Sequence, residues 1–113
     1  MKYNIIEQFN CIIIDLKGNI LGGPHAEKFR DELHTLLESG KSNIILNLGK
    51  VKFMNSSGLG ILVGALTTIR NAGGHLIICE ADKKIVNLLM ITQLMTVFQH
   101  YRSQDEAVKT FQR

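Results

Sequence analysis

Two adjacent hydroxyls, Ser56 and Ser57, sit in the stretch FMNSSGLGIL between an apolar run of strand length and an apolar stripe at helical spacing. A serine at such a junction can be a nucleophile, a helix cap, or an acceptor of a phosphoryl group. Spacing discriminates among these. A hydrolase nucleophile elbow needs glycine two residues before and two after the serine, because the strained strand-to-helix turn leaves no room for side chains. Around Ser56 the second glycine is Gly58, but the first position is Met54. The acid and base that would complete a triad, Asp82 and His100, each have a simpler reading, as a helix cap and as part of a polar surface segment.

The glycines invite a dinucleotide reading, since Gly58 and Gly60 follow a strand and Glu80 ends the next one, about twenty residues on as a ribose-binding acid requires. The third glycine is Gly64, one position too late. Gly60 and Gly64, four apart on one helical face, are instead expected to let the helix approach the sheet. No Gly-Lys-Ser/Thr follows to make a Walker-type phosphate loop. His25, His34, His75 and His100 show no ligand spacing with cysteine or with one another, so neither metal nor cofactor is expected. What the motif retains is a helix start: Asn55 or Ser56 can cap it, and its free N–H groups and positive dipole end accommodate a phosphate on serine.

The elements that must position this motif are legible from periodicity. Tyr3 to Gln8 and Cys11 to Lys17 read as a β-hairpin turning at Phe9-Asn10, followed by a glycine-rich loop, GNILGGP. Pro24 opens a helix carrying Ala26, Phe29, Leu33, Leu36 and Leu37 until Gly40 stops it. Asn43 to Leu48 is a strand that continues through Val51 to Met54 toward the motif. Leu59, Leu62, Val63, Leu66 and Ile69 form the next helical stripe, ended by Gly73-Gly74, and His75 to Glu80 is again a strand. Strand, helix, strand in so short a span is a βαβ unit with parallel strands. Asp82 reads as the cap of a helix with Ile85, Leu88 and Leu89. Leu94 to Phe98 reads as an apolar patch or short strand, and Asp105 as the cap of a last helix. The expected fold is one α/β domain over residues 1–113, with a mixed, mainly parallel sheet, an N-terminal hairpin and about four helices.

Composition bounds the partners. The chain is 45% hydrophobic and 20% charged, an ordinary globular balance, and 113 residues can bury a core without disulfide or metal staples. The net charge is +3, yet no basic run exceeds Lys83-Lys84, so direct nucleic-acid binding is not expected. GLGILVGAL is too short to cross a bilayer. Cys11 and Cys79 lie in apolar strand-like runs, and Met1-Lys2-Tyr3 leads straight into a strand pattern rather than a leader. Both features point to buried thiols in a reducing cytoplasm.

The stretch FMNSSGLGIL resembles the signature [FM]-[MI]-D-S-S-G-L-G-x-L of STAS domains, specifically of bacterial anti-sigma factor antagonists. The resemblance runs over nearly the whole chain, through AEKFRDEL, IILNL, AGGHLIICEA and KKIVNLLMITQLMTVFQHY to DEAV. It implies a STAS fold and a switch rather than an enzyme. Ser56 would be the phosphorylation site, with Ser57 as the second candidate. An anti-sigma factor with serine-kinase activity would phosphorylate it, and a metal-dependent serine phosphatase would reverse this. The unmodified form would bind the anti-sigma factor and free the sigma factor. The implied partner surface comprises Asn55, Ser56, Ser57, Gly58, Leu59 and Gly60, together with Leu21, Gly22 and Gly23 of the neighbouring loop. Asn55 stands where the family has Asp, and GNILGG where it has G-E-L-D. Stand-alone STAS domains also serve as constitutive subunits of stress-signalling or lipid-transport assemblies and as nucleotide-binding sensors, and both alternatives stay open, as does homo-oligomer formation.

Overall fold

The computed structural model describes residues 1–112. Five strands and four helices follow one another as β1 (Lys2–Gln8), β2 (Cys11–Ile20), α1 (Pro24–Glu38), β3 (Asn43–Met54), α2 (Ser56–Asn71), β4 (His75–Cys79), α3 (Lys83–Ile91), β5 (Gln99–Tyr101) and α4 (Gln104–Phe111). The sheet order is β1-β2-β3-β4-β5. Only β1 runs antiparallel to its neighbour; the other three pairings are parallel. The expected α/β fold, hairpin and helix number are borne out.

Alternation along the strands sorts side chains onto two faces. Ile12, Ile14 and Leu16 of β2 face one side, where Phe29 and Leu33 of α1, Leu62 and Ile69 of α2, and Ile85 and Leu89 of α3 complete the main core. Cys11, Ile13, Ile45, Ile77 and Cys79 face the other side, closed by Ala107 and Val108 of α4. Gly40 and Gly73 take positive φ just past α1 and α2, the conformation glycine supplies most cheaply at a helix end.

Three expectations change. The loop expected over GNILGGP begins late, because Gly18, Asn19 and Ile20 continue β2 and pair with β3. Cys79 ends β4 and the last strand is Gln99–Tyr101, beyond the apolar patch, while Leu94 to Val97 make hydrogen-bonded turns. α4 is capped by Ser103, whose Oγ accepts from the Glu106 amide at 3.2 Å, and Asp105 sits in its first turn. Ser103 Oγ also donates to Glu106 Oε1 at 3.3 Å, within a Ser-x-x-Glu spacing that the sequence carries as a helix-start signal.

Both cysteines are free and buried. Burial pushes the Cys79 thiol up to about 12, with the Glu80 and Asp15 charges adding to the effect; burial also raises Cys11. Thiolate is the reactive form, so neither should react with Ellman's reagent in the native protein at neutral pH, and both should react after denaturation. Rapid labelling of the native chain would contradict this packing.

His100 lies in β5 rather than in a polar surface segment. Its Nε2 is buried without a hydrogen-bond partner, and desolvation lowers its pKa below 6.5. A lowered histidine means that the unfolded chain binds the proton more readily. Stability is therefore complete above the unfolded pKa and falls as pH drops below about 6.5 toward the native value. Replacement by Gln should flatten the acid limb of a thermal-stability profile between pH 7 and 5.

Candidate functional site

The site is built where β3 outruns β4 and stays paired with β2. β4 pairs with β3 only over Asn43 to Asn47, whereas β2 accompanies β3 to Met54. Two register shifts lengthen β3 against β2: Asp15 to Lys17 lies opposite Asn47 to Lys50, and Gly18 to Asn19 opposite Val51 to Phe53. Each inserts one residue, so Leu48, Val51 and Met54, three apart, are all buried on the main-core face. The strand then delivers Asn55 to the start of α2.

Asn55 is the cap. Its backbone is extended, its Oδ1 accepts from the Gly58 amide at 2.8 Å, and its carbonyl accepts from the Leu59 amide at 2.8 Å. Asn therefore performs the capping that the family's Asp would perform, without the charge. The amides of Ser56 and Ser57 are the first-turn donors left without an acceptor among the described residues. Both serines are exposed.

Gly58 fixes how the pieces meet. It is buried, and a Cβ there would collide with the Ile20 carbonyl oxygen and lie 2.6 Å from its carbon. The close approach expected of Gly60 and Gly64 belongs to Gly58 instead. Gly60 and Gly64 are exposed, have open space around a would-be Cβ, and line a small cleft with Ala26, Phe29 and Leu33 of α1. They face α1 rather than the sheet.

The β2–α1 loop closes against the same point. Gly22, at φ +87°, lies so near Ser57 that a Cβ on it would sit 2.9 Å from the Ser57 Cβ, and Gly23 is also at φ +87°. Leu21, Gly22 and Gly23 are thus brought beside Asn55, Ser56, Ser57 and Gly58. Leu59 is buried and holds α2 in the core. Phe53, absent from the expected surface, is 55% exposed just before the site, and Leu21 is 46% exposed. Phe53 lies on the face of β3 opposite Met54, outside the main core.

Among the described residues no cluster of three His, Cys, Asp or Glu side chains is arranged to hold a metal, and no helix is long and apolar enough to cross a membrane. The Asp82 side chain accepts from the Ile85 amide as a helix cap, and His100 lies in β5. Neither Asp82 nor His100 is hydrogen-bonded to Ser56 or Ser57, and Ser56 presents an exposed hydroxyl at the start of α2.

A profile of the STAS domain matches residues 2–107. The chain belongs to the STAS domain family. The anti-sigma-B factor antagonist of Bacillus subtilis is 30% identical to this STAS domain over 86 residues, covering 74% of this chain and 78% of that protein. BtrV of Bordetella bronchiseptica, provisionally named an anti-sigma factor antagonist, is 23% identical over 111 residues, covering 98% and 95%. The Bacillus cell fate determinant SpoIIAA, solved in its phosphorylated form, superposes with a TM-score of 0.74 at 20% identity, covering 96% of this chain and 98% of that one. That likeness shows that the two chains share a fold.

Proposed function

We propose that this STAS domain is an anti-sigma factor antagonist that works by partner switching in the cytoplasm, with Ser56 as its phosphorylation switch. The observation that carries the reading is the exposed Ser56 hydroxyl at an Asn55-capped helix start, beside two open amides and framed by the exposed Leu21 and Phe53. The names of the relatives support the role, and the existence of a phosphorylated SpoIIAA structure supports the chemistry.

An anti-sigma factor with serine-kinase activity transfers the ATP γ-phosphoryl group to the Ser56 oxygen, and a metal-dependent phosphatase hydrolyses the ester. The protein is the substrate of both reactions and catalyses neither. In the unmodified state the partner covers Leu21 to Gly23, Asn55 to Ser57, Gly60 and the adjoining Phe53; Gly58 and Leu59, expected in that surface, are buried and hold α2 beneath it. A phosphate adds about −1.5 to −2 charges, which the open amides and dipole tolerate in the free protein. Buried at an interface without a cation, the same dianion is costly to desolvate, and the complex dissociates. Ser57, whose Cβ is pressed toward Gly22, is the less accessible hydroxyl for a kinase.

Incubation with the cognate anti-sigma kinase and ATP, followed by intact-mass measurement and site mapping, tests the assignment. One phosphate at Ser56 is expected. No phosphate, or phosphate on Ser57 alone, contradicts it.

A further inference from the structure

Asn47 is the buried polar side chain of the sheet, 7% exposed, and its position at the foot of the β3 overhang gives it a task. Its Oδ1 accepts from the Gly49 amide at 2.8 Å, closing the turn that makes the first β3 register shift. Its Nδ2 donates to Gln104 Oε1 at 2.8 Å, the first residue of α4. The Gln104 amide in turn donates to Glu80 Oε2 at 3.0 Å. Glu80 holds a positive φ of 58° just past β4, and its own amide donates to the Tyr101 carbonyl of β5. Gly49 is hemmed by these same groups: a Cβ there would lie 3.0 Å from Glu80 Oε1 and 3.1 Å from Asn47 Oδ1.

These bonds join α4 and the ends of β4 and β5 to the point where β3 leaves the sheet and runs out with β2 alone. We infer that the Asn47–Gln104 bond is a latch that positions the Ser56 site, setting the pitch of the β2–β3 ribbon from the α4 side of the sheet. Asn47 and Gln104 are positioning residues: neither belongs to the candidate partner surface, and they act through residues 49–55. The apolar core holds Leu48, Val51 and Met54 from the opposite face, and the latch ties the foot of the same overhang to α4. This reading rests on the proposed function of Ser56 for its consequence, but the geometry of the latch does not.

Gln104 is only half-buried, so Gln104→Ala should fold while stranding the buried Asn47 Nδ2. Gln104→Glu, made together with Glu80→Gln so that no second carboxylate faces it, keeps an oxygen that can accept from Nδ2 and is favoured at a helix start, and the amide oxygen introduced at position 80 can still accept from the N–H of residue 104. Hydrogen–deuterium exchange of the amides at 51–55 should accelerate about tenfold in Gln104→Ala, the order expected when a buried donor loses its partner in a locally opening segment, and return near the parent rate in the double variant. With the cognate kinase, Gln104→Ala should raise the KM for this protein several-fold and leave kcat nearly unchanged, and the double variant should restore KM. Parent-like exchange in Gln104→Ala, faster exchange with an unchanged KM, or no recovery in the double variant overturns the latch. If the parent itself takes no phosphate, the proposed function fails, and the exchange rates alone still decide whether the latch holds the ribbon.

Discussion

Gly58→Ala should lower the melting temperature by about 10 °C or more, the largest stability loss expected from any single methyl group at this site, because overpacking here costs about 3 kcal/mol or more. The added Cβ meets the Ile20 carbonyl, which is backbone held in the β2–β3 pairing and cannot rotate away as a side-chain tip would. Relief requires α2 to lift from β2, which also breaks the Asn55 cap on the Gly58 amide and moves Ser56. Gly60→Ala is the matching control. It places the same methyl group two residues on, in open space on the same helix, and should stabilise the fold by about 0.5–1 kcal/mol through helix propensity. Calorimetry of the two variants separates a glycine needed for contact from one that is not. Equal melting temperatures would contradict the packing of α2 on Ile20.

The second large effect is on binding. Ser56→Ala should bind the anti-sigma partner constitutively, since it removes one exposed hydroxyl and leaves the cap on Asn55. Ser56→Asp should bind poorly, and authentic phosphoserine more poorly still. To take occupancy from nearly full to nearly empty, the modification must weaken binding by about 5.5 kcal/mol, or 10⁴-fold. A desolvated dianion can supply an effect of that order, whereas aspartate carries half the charge and fewer acceptor oxygens. Because Asn55 is neutral, no carboxylate at the cap repels the incoming phosphate. Asn55→Asp should therefore leave the fold intact, as both residues cap well.

Most of the architecture is legible in the sequence because it is local. Phe29 and Leu33, Leu62 and Ile69, and Ile85 and Leu89 recur at helical spacing and are all buried, and the hairpin turns at Phe9-Asn10 where expected. The serine pair was legible as a helix start for the same reason. What was not legible depends on neighbours distant in sequence. The role of Gly58 is set by Ile20, which reaches it only through parallel pairing of β2 and β3. The burial of Val51 on the same face as Leu48 and Met54 follows from the two register shifts that interrupt the alternation. Asn47, an isolated polar residue inside IILNL, is the trace the latch leaves in the sequence, but its partner Gln104 lies 57 residues away. His100 shows the same limit: a polar-looking segment becomes β5 because β4 offers it an edge.

On the proposed switch, one phosphate on Ser56 decides whether the anti-sigma partner stays bound. The most direct test is the dissociation constant of the partner for unmodified protein and for protein phosphorylated to completion at Ser56, measured side by side by titration calorimetry. A complex with the unmodified form and a loss of affinity of about four orders of magnitude on phosphorylation are expected. Equal affinity of the two forms would contradict the switch, even with Ser56 correctly identified as the modified residue.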